Sequence, residues 1–237
     1  MGAQLFLFTG LYEQYSRLSF THEWNKPVAI AGLEQRLTKR FADRSGAGIF
    51  ANHSTRWLLW ERADGVDTLK RIDFGTSTVK APPSWSWMAY IGGITFLEPP
   101  KGQTDWNNDI VLTLTGDGNA SWLYTKEDLA MRAPILVLDD AAAAEISTDS
   151  STLANPSQRA ERELSLMFDE PKQAAGPHKH YVIVGTFGNL NDTSSRTYVL
   201  AVSPIQQLTN TFERIGAGWI PNRMVKRGTI LGLCSIV

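Results

Sequence analysis

The sequence predicts a mainly β, α+β fold: a β-barrel or β-sandwich carrying two N-terminal helices. Three observations predict it. Apolar residues recur at helical spacing through the first 45 residues. After residue 55 the pattern changes to short apolar runs separated by turn residues, the all-β signal. The chain also has 237 residues, 43% of them hydrophobic, enough to bury one core without disulfides or a structural metal.

The elements follow in order. Leu11, Tyr15 and Leu18 share one face of a first helix. In the second, Asn25 can cap the start and Pro27 sits in the first turn. Ile30, Leu33, Leu37 and Phe41 form its apolar stripe, and Gly46 and Gly48 stop it. The basic trio Lys39, Arg40 and Arg44 reads as its wet face. Residues 69–74 read as a strand. Residues 110–114 alternate apolar and polar, 116–119 supply Gly-Asp-Gly-Asn turn chemistry, and 121–124 return, which is a hairpin. Residues 135–138 read as a buried strand. Residues 181–187 and 198–202 flank the polar loop 188–196 as a second hairpin, and 212–215 and 229–237 complete the set. Between the hairpins, 139–180 reads as a long insertion or lid with one strand or helix near 161–168. No internal repeat or linker divides the chain, so residues 1–237 read as one domain.

Charge and composition exclude several function classes. A net charge of −1 gives no field to recruit nucleic acid or an anionic membrane. No apolar run approaches the roughly 18 residues of a membrane span. The opening residues lack the basic start and cleavage site of a signal peptide. Cys234 is the single cysteine and reads as a small buried hydrophobe. A reducing, cytoplasmic location is the expectation. No nucleophile elbow, Walker loop or dinucleotide fingerprint occurs, and Gly216-x-Gly218 lacks the third glycine. No cofactor is expected. His178 and His180 would share a strand face, but no third ligand is evident, so no metal is expected.

The most distinctive stretch is Ala81-Pro82-Pro83-Ser84-Trp85-Ser86-Trp87. It resembles the Ala-Pro-Ser-Trp-Ser-Trp-Ala-Ser motif found after the HET domain in fungal heterokaryon-incompatibility proteins, with one extra proline. Weaker landmarks run in the same order. Tyr15-Ser16-Arg17-Leu18-Ser19, residues 26–32, Leu58-Leu59-Trp60 and Phe212-Glu213-Arg214-Ile215-Gly216 each resemble a segment of that region. The resemblance spans residues 12–97 and 181–237. Nothing here resembles the HET domain itself, so the cell-death signalling assigned to that domain is not carried over.

In an extended motif, Ser84 and Ser86 would point to one face and Trp85 and Trp87 to the other. Two such indoles serve either as a core staple or as a wall of a ligand pocket. The chain carries eight tryptophans. Two functional readings follow. One is a cofactor-free cyclase or pericyclase of fungal specialised metabolism, folding a hydrophobic terpenoid or polyketide precursor into its reactive shape for an intramolecular Diels–Alder-type cycloaddition. Its expected pocket walls are Trp60, Trp85, Trp87 and Trp122, and its expected donors are His22, His53, Tyr90 and Arg214. The alternative is a non-catalytic ligand-binding or protein-interaction module derived from an incompatibility protein. That reading predicts an exposed apolar patch in place of a closed cavity.

Overall fold

A computed structural model of the protein describes residues 2–75, 77–114, 129–150, 162–174, 178–188 and 195–237. Two helices open the chain, α1 (Gly2–Ser16) and α2 (Asn25–Phe41). Short paired strands follow: β1 (Ser45–Gly46) with β2 (Ile49–Phe50), β3 (Trp60–Arg62) with β6 (Ile94–Phe96), and β4 (Lys70–Arg71) with β5 (Tyr90–Ile91). The helical turn α3 (Ser54–Trp57) lies between β2 and β3.

The rest is one large sheet. Its strands are β7 (Thr104–Trp106), β8 (Val111–Thr113), β9 (Ala130–Val137), β10 (Ser165–Phe168), β11 (His180–Phe187), β12 (Arg196–Pro204), β13 (Thr211–Pro221) and β14 (Thr229–Ile236). Five of them close a ring: β11 pairs β12, β12 pairs β13, β13 pairs β14, β14 pairs β9, and β9 returns to β11. Strand directions cannot alternate all the way round an odd ring, so one contact must be parallel. It is β13–β14, and it is short: Thr211 faces Ser235 and Phe212 faces Ile236. The expected barrel is therefore present, with a seam.

At β12 both faces of the sheet are covered, which is why its sequence reads as a continuous apolar run. Tyr198, Leu200 and Val202 join the large core shared with the N-terminal half. Val199 and Ala201 point the other way. They pack under α4 (Asp140–Ser150), β10 and α5 (Asn222–Val225), against Ile146, Leu166, Phe168 and Met224. The 139–180 segment thus supplies α4 and β10 to a second core, and of the strand or helix expected near 161–168 it is a strand, Ser165–Phe168, that forms. The 181–187 and 198–202 hairpin forms as β11 and β12. The return strand of the 110–124 hairpin lies outside the described residues.

Several local expectations differ from the fold, the cap of α2 among them: it is Trp24 and not Asn25. In α1 the buried stripe is Phe8, Tyr12 and Ser16, while Leu18 is exposed beyond the helix end. In α2 the most buried face carries Lys26, Pro27, Ile30, Ala31, Glu34 and Thr38, so Leu33, Leu37 and Phe41 lie at its flank. Its end is made by Ala42 in the left-handed conformation and not by Gly46 or Gly48. Of residues 69–74 only Lys70–Arg71 is strand.

Candidate functional site

The Ser-Trp-Ser-Trp segment is not a strand. It makes a turn, with Ser86 N–H donating to Pro83 O, and then a short 3-10 turn over Trp87–Ala89. Ser86 caps that turn by accepting from Met88 N–H at 3.2 Å. The four side chains consequently leave in different directions, and each of the first three ties a distant element.

Ser84 Oγ accepts from Arg214 N–H at 2.8 Å and donates to Val237 O. Trp85 Nε1 donates to Ile236 O at 3.1 Å. Ser86 Oγ donates to Ala47 O at 2.7 Å, and Trp60 Nε1 donates to Trp85 O at 2.9 Å. The motif therefore binds the end of β14, the edge of β13, the β1–β2 turn and β3 into one knot. Backbone groups at the seam, Arg214 N–H and the Ile236 and Val237 carbonyls, take these side chains as partners.

Three of the four expected pocket walls are core instead. Trp60, Trp85 and Trp87 are fully buried. One face of Trp60 holds the Arg214 guanidinium 3.2 Å from the ring centre, and Tyr90 lies 5.5 Å away. Trp87 is enclosed by Tyr12 at 5.0 Å, Tyr15 at 6.3 Å and the Lys26 ammonium at 5.0 Å. Trp122 lies outside the described residues. Aromatic rings facing protein groups on this scale are packing partners, not ligand walls.

Of the expected donors, Tyr90 and Arg214 meet at Trp60, and the two histidines stand apart. Arg214 is fully buried. Its Nη1 donates to both Asp169 oxygens, at 2.8 and 3.0 Å, and its Nη2 donates to Trp60 O at 2.5 Å. Burial raises the Asp169 carboxyl to about 6, against the pull of Arg214. Burial also raises the Tyr90 hydroxyl far above its ordinary range. These groups brace β3, β13 and the segment after β10 against one another. His22 is exposed and stacked on Trp24 at 4.8 Å. His53 is exposed at the start of α3 with φ +63°. His178 lies against Phe168 at 4.5 Å and His180 against Phe212 at 5.4 Å.

What the motif does build is a cleft on the outside of the knot. It has a volume of about 460 Å³. Pro82, Pro83, Met131, Ile236 and Val237 form an apolar floor, and Arg71 and Lys80 stand as the charged members of the lining. Both are cations. Ser84 and Trp85 hold Val237 and Ile236 in place, so the motif positions the floor it borders. A second cleft of about 460 Å³ has the opposite sign: Asp105 and Asp109 are its charged members, beside Trp106. Neither cleft is lined by Trp60, Trp85 or Trp87. Among the described residues no three His, Cys, Asp or Glu side chains gather as a metal site, and no helix is long and apolar enough to cross a membrane.

The sequence signals missed Asp169, the partner of Arg214, because the pair is joined only by folding. They also missed Lys26 and Glu34. Here a signal existed: positions 26, 30, 34 and 38 fall at four-residue spacing on one helical face. No family model, no curated protein and no solved structure matches this chain.

Proposed function

We propose that the protein is a non-catalytic binding module that takes an apolar small molecule with an anionic end. One observation carries this reading: the cleft beside the Pro82-Pro83 step has an apolar floor, and both charged side chains lining it are cations. Its volume of about 460 Å³ falls in the range of small-molecule sites. A ligand lying on Pro83 and Val237 would gain from apolar burial, and its anionic end would face Arg71 and Lys80. The second cleft, with Asp105 and Asp109, would repel the same ligand. This is the non-catalytic alternative that the family resemblance implies. The cyclase expectation lacks comparable support, because its described walls Trp60, Trp85 and Trp87 are buried against protein groups and its donors do not converge on one open space.

The test is a displacement titration with an anionic naphthalene-sulfonate dye. Dodecanoate is expected to compete at least about tenfold better than dodecyltrimethylammonium, and Lys80→Glu is expected to weaken dodecanoate by about tenfold. Equal binding of the two surfactants, or indifference to Lys80→Glu, overturns the reading. Ala81→Glu, at an exposed position of the lining, gives an independent loss.

A further inference from the structure

We propose that the exposed half of β14 is a docking strand for a short, uncharged, extended segment of another protein. The inference does not depend on the cleft. Among the described residues, β13 meets β14 only at Ser235 and Ile236. Over Thr229–Leu233 the ladder partner of β14 is β9 alone. The opposite edge of this stretch lies past the point where β13 turns back into the 205–210 loop, where Ile205 N–H donates to Thr211 O. Among the described residues, the seam of the barrel thus leaves one strand edge open.

The side chains on that edge are apolar. Ile230 is 53% exposed, Leu231 40% and Leu233 58%. Residues 228–237 contain no charged residue and no proline. Natural sheet edges are commonly protected by lysine, proline or inward charge, and this one carries only the bulge between Leu231 and Leu233. β13 covers this edge from Ser235 onward, which limits an added partner to the five positions 229–233, roughly 16 Å of extended chain interrupted by the bulge.

The small area decides the occupant. Three half-exposed aliphatic side chains offer roughly 150 Å² per copy. Two copies of this chain meeting edge to edge would bury roughly 300 Å² of apolar side chain, well below the roughly 1,000 Å² of a stable interface. Strand addition draws its affinity mainly from main-chain hydrogen bonds and needs little side-chain area. The partner is uncharged because residues 228–237 offer it no counter-charge, and Asp105 and Asp109 share a cleft with Ile230 alone of the three.

The probe is a capped six-residue peptide of alternating threonine and valine, titrated while amide hydrogen exchange is followed. The amides of residues 229–233 are expected to slow at least tenfold on binding. The same peptide N-methylated at alternate residues is expected to have no effect. Leu231→Lys and Leu233→Lys, both at exposed positions, are expected to weaken binding by tenfold or more. Lys80→Glu is expected to leave it unchanged, which separates this site from the cleft. Absence of protection at millimolar peptide, or equal binding of the N-methylated analogue, overturns the proposal. So does concentration-dependent dimerisation in sedimentation that Leu231→Lys abolishes, because a second copy is then the occupant.

Discussion

Lys26 and Glu34 are the residues that most offend ordinary burial rules. They lie two helical turns apart on the core face of α2, on either side of Trp87. Lys26 is fully buried, with Tyr90 O as acceptor at 2.5 Å and the Trp87 ring beneath it. Burial lowers its ammonium to about 7. Glu34 is 2% exposed. It accepts from Gly48 N–H at 3.3 Å, and its Oε2 is without a partner, as are Tyr12 Oη and Trp87 Nε1. Burial raises the Glu34 carboxyl to about 7. Gly48 has φ +78°, and a Cβ there would sit 2.4 Å from Trp87 Nε1, so the tight corner requires glycine.

The pH dependence follows from these two directions. A raised carboxyl contributes stability that is full below its unfolded value near 4.5 and is lost as pH rises towards 7. A lowered ammonium contributes stability that is full above 10.5 and is lost as pH falls towards 7. Both penalties are therefore greatest near neutrality. Urea denaturation across pH 5 to 9 is expected to find a stability minimum near pH 7. Each full arm is on the order of 3 to 5 kcal/mol. Glu34→Gln should shrink the acid arm and Lys26→Met the alkaline arm. A monotonic profile, or arms insensitive to these substitutions, rejects the assignment.

At the scale of elements, β10 on β13 is the contact that sequence periodicity alone misreads. Ser165 faces Trp219 and Phe168 faces Gly216 across an antiparallel pair. The strands approach closely at the glycines. A Cβ on Gly218 would lie 1.9 Å from Ser165 O, and one on Gly216 would lie 2.5 Å from Met167 O. Gly216-x-Gly218 looks like a truncated phosphate-loop signature, yet its role is to let two backbones meet. Gly218→Ala is expected to cost about 3 kcal/mol by overpacking. It should also release the Ser165–Phe168 amides to exchange before the rest of the barrel. An alanine variant of unchanged stability would show that β10 does not sit there.

At the scale of the whole molecule, the chain is joined by contacts very distant in sequence. The Trp85–Ile236 bond spans 151 residues and the Ser84–Arg214 bond spans 130. The large core runs from Phe8 on α1 to Ile236 on β14. Helices, motif and barrel thus share one apolar interior, and loss of one exposes the others. Thermal unfolding is expected to be a single transition, with near-ultraviolet dichroism of the Trp87 environment and far-ultraviolet dichroism of the sheet losing signal together. Separate midpoints would mean that the helical part melts independently.

The sequence by itself determined the local chemistry: two leading helices, a strand-rich remainder, the β11–β12 hairpin, a buried Cys234 and the singular Ser-Trp-Ser-Trp segment. These are legible because turn residues and apolar periodicity act over a few residues. Only the tertiary structure decided what those residues are for. Whether an indole is wall or core depends on what covers its faces. For Trp60 that is Arg214, 154 positions away. Whether an apolar strand is buried or open depends on where an odd ring places its one parallel seam, and periodicity carries no record of which strand becomes the neighbour. The cleft and the open edge of β14 both arise at that seam, so neither could be read before the ring was closed.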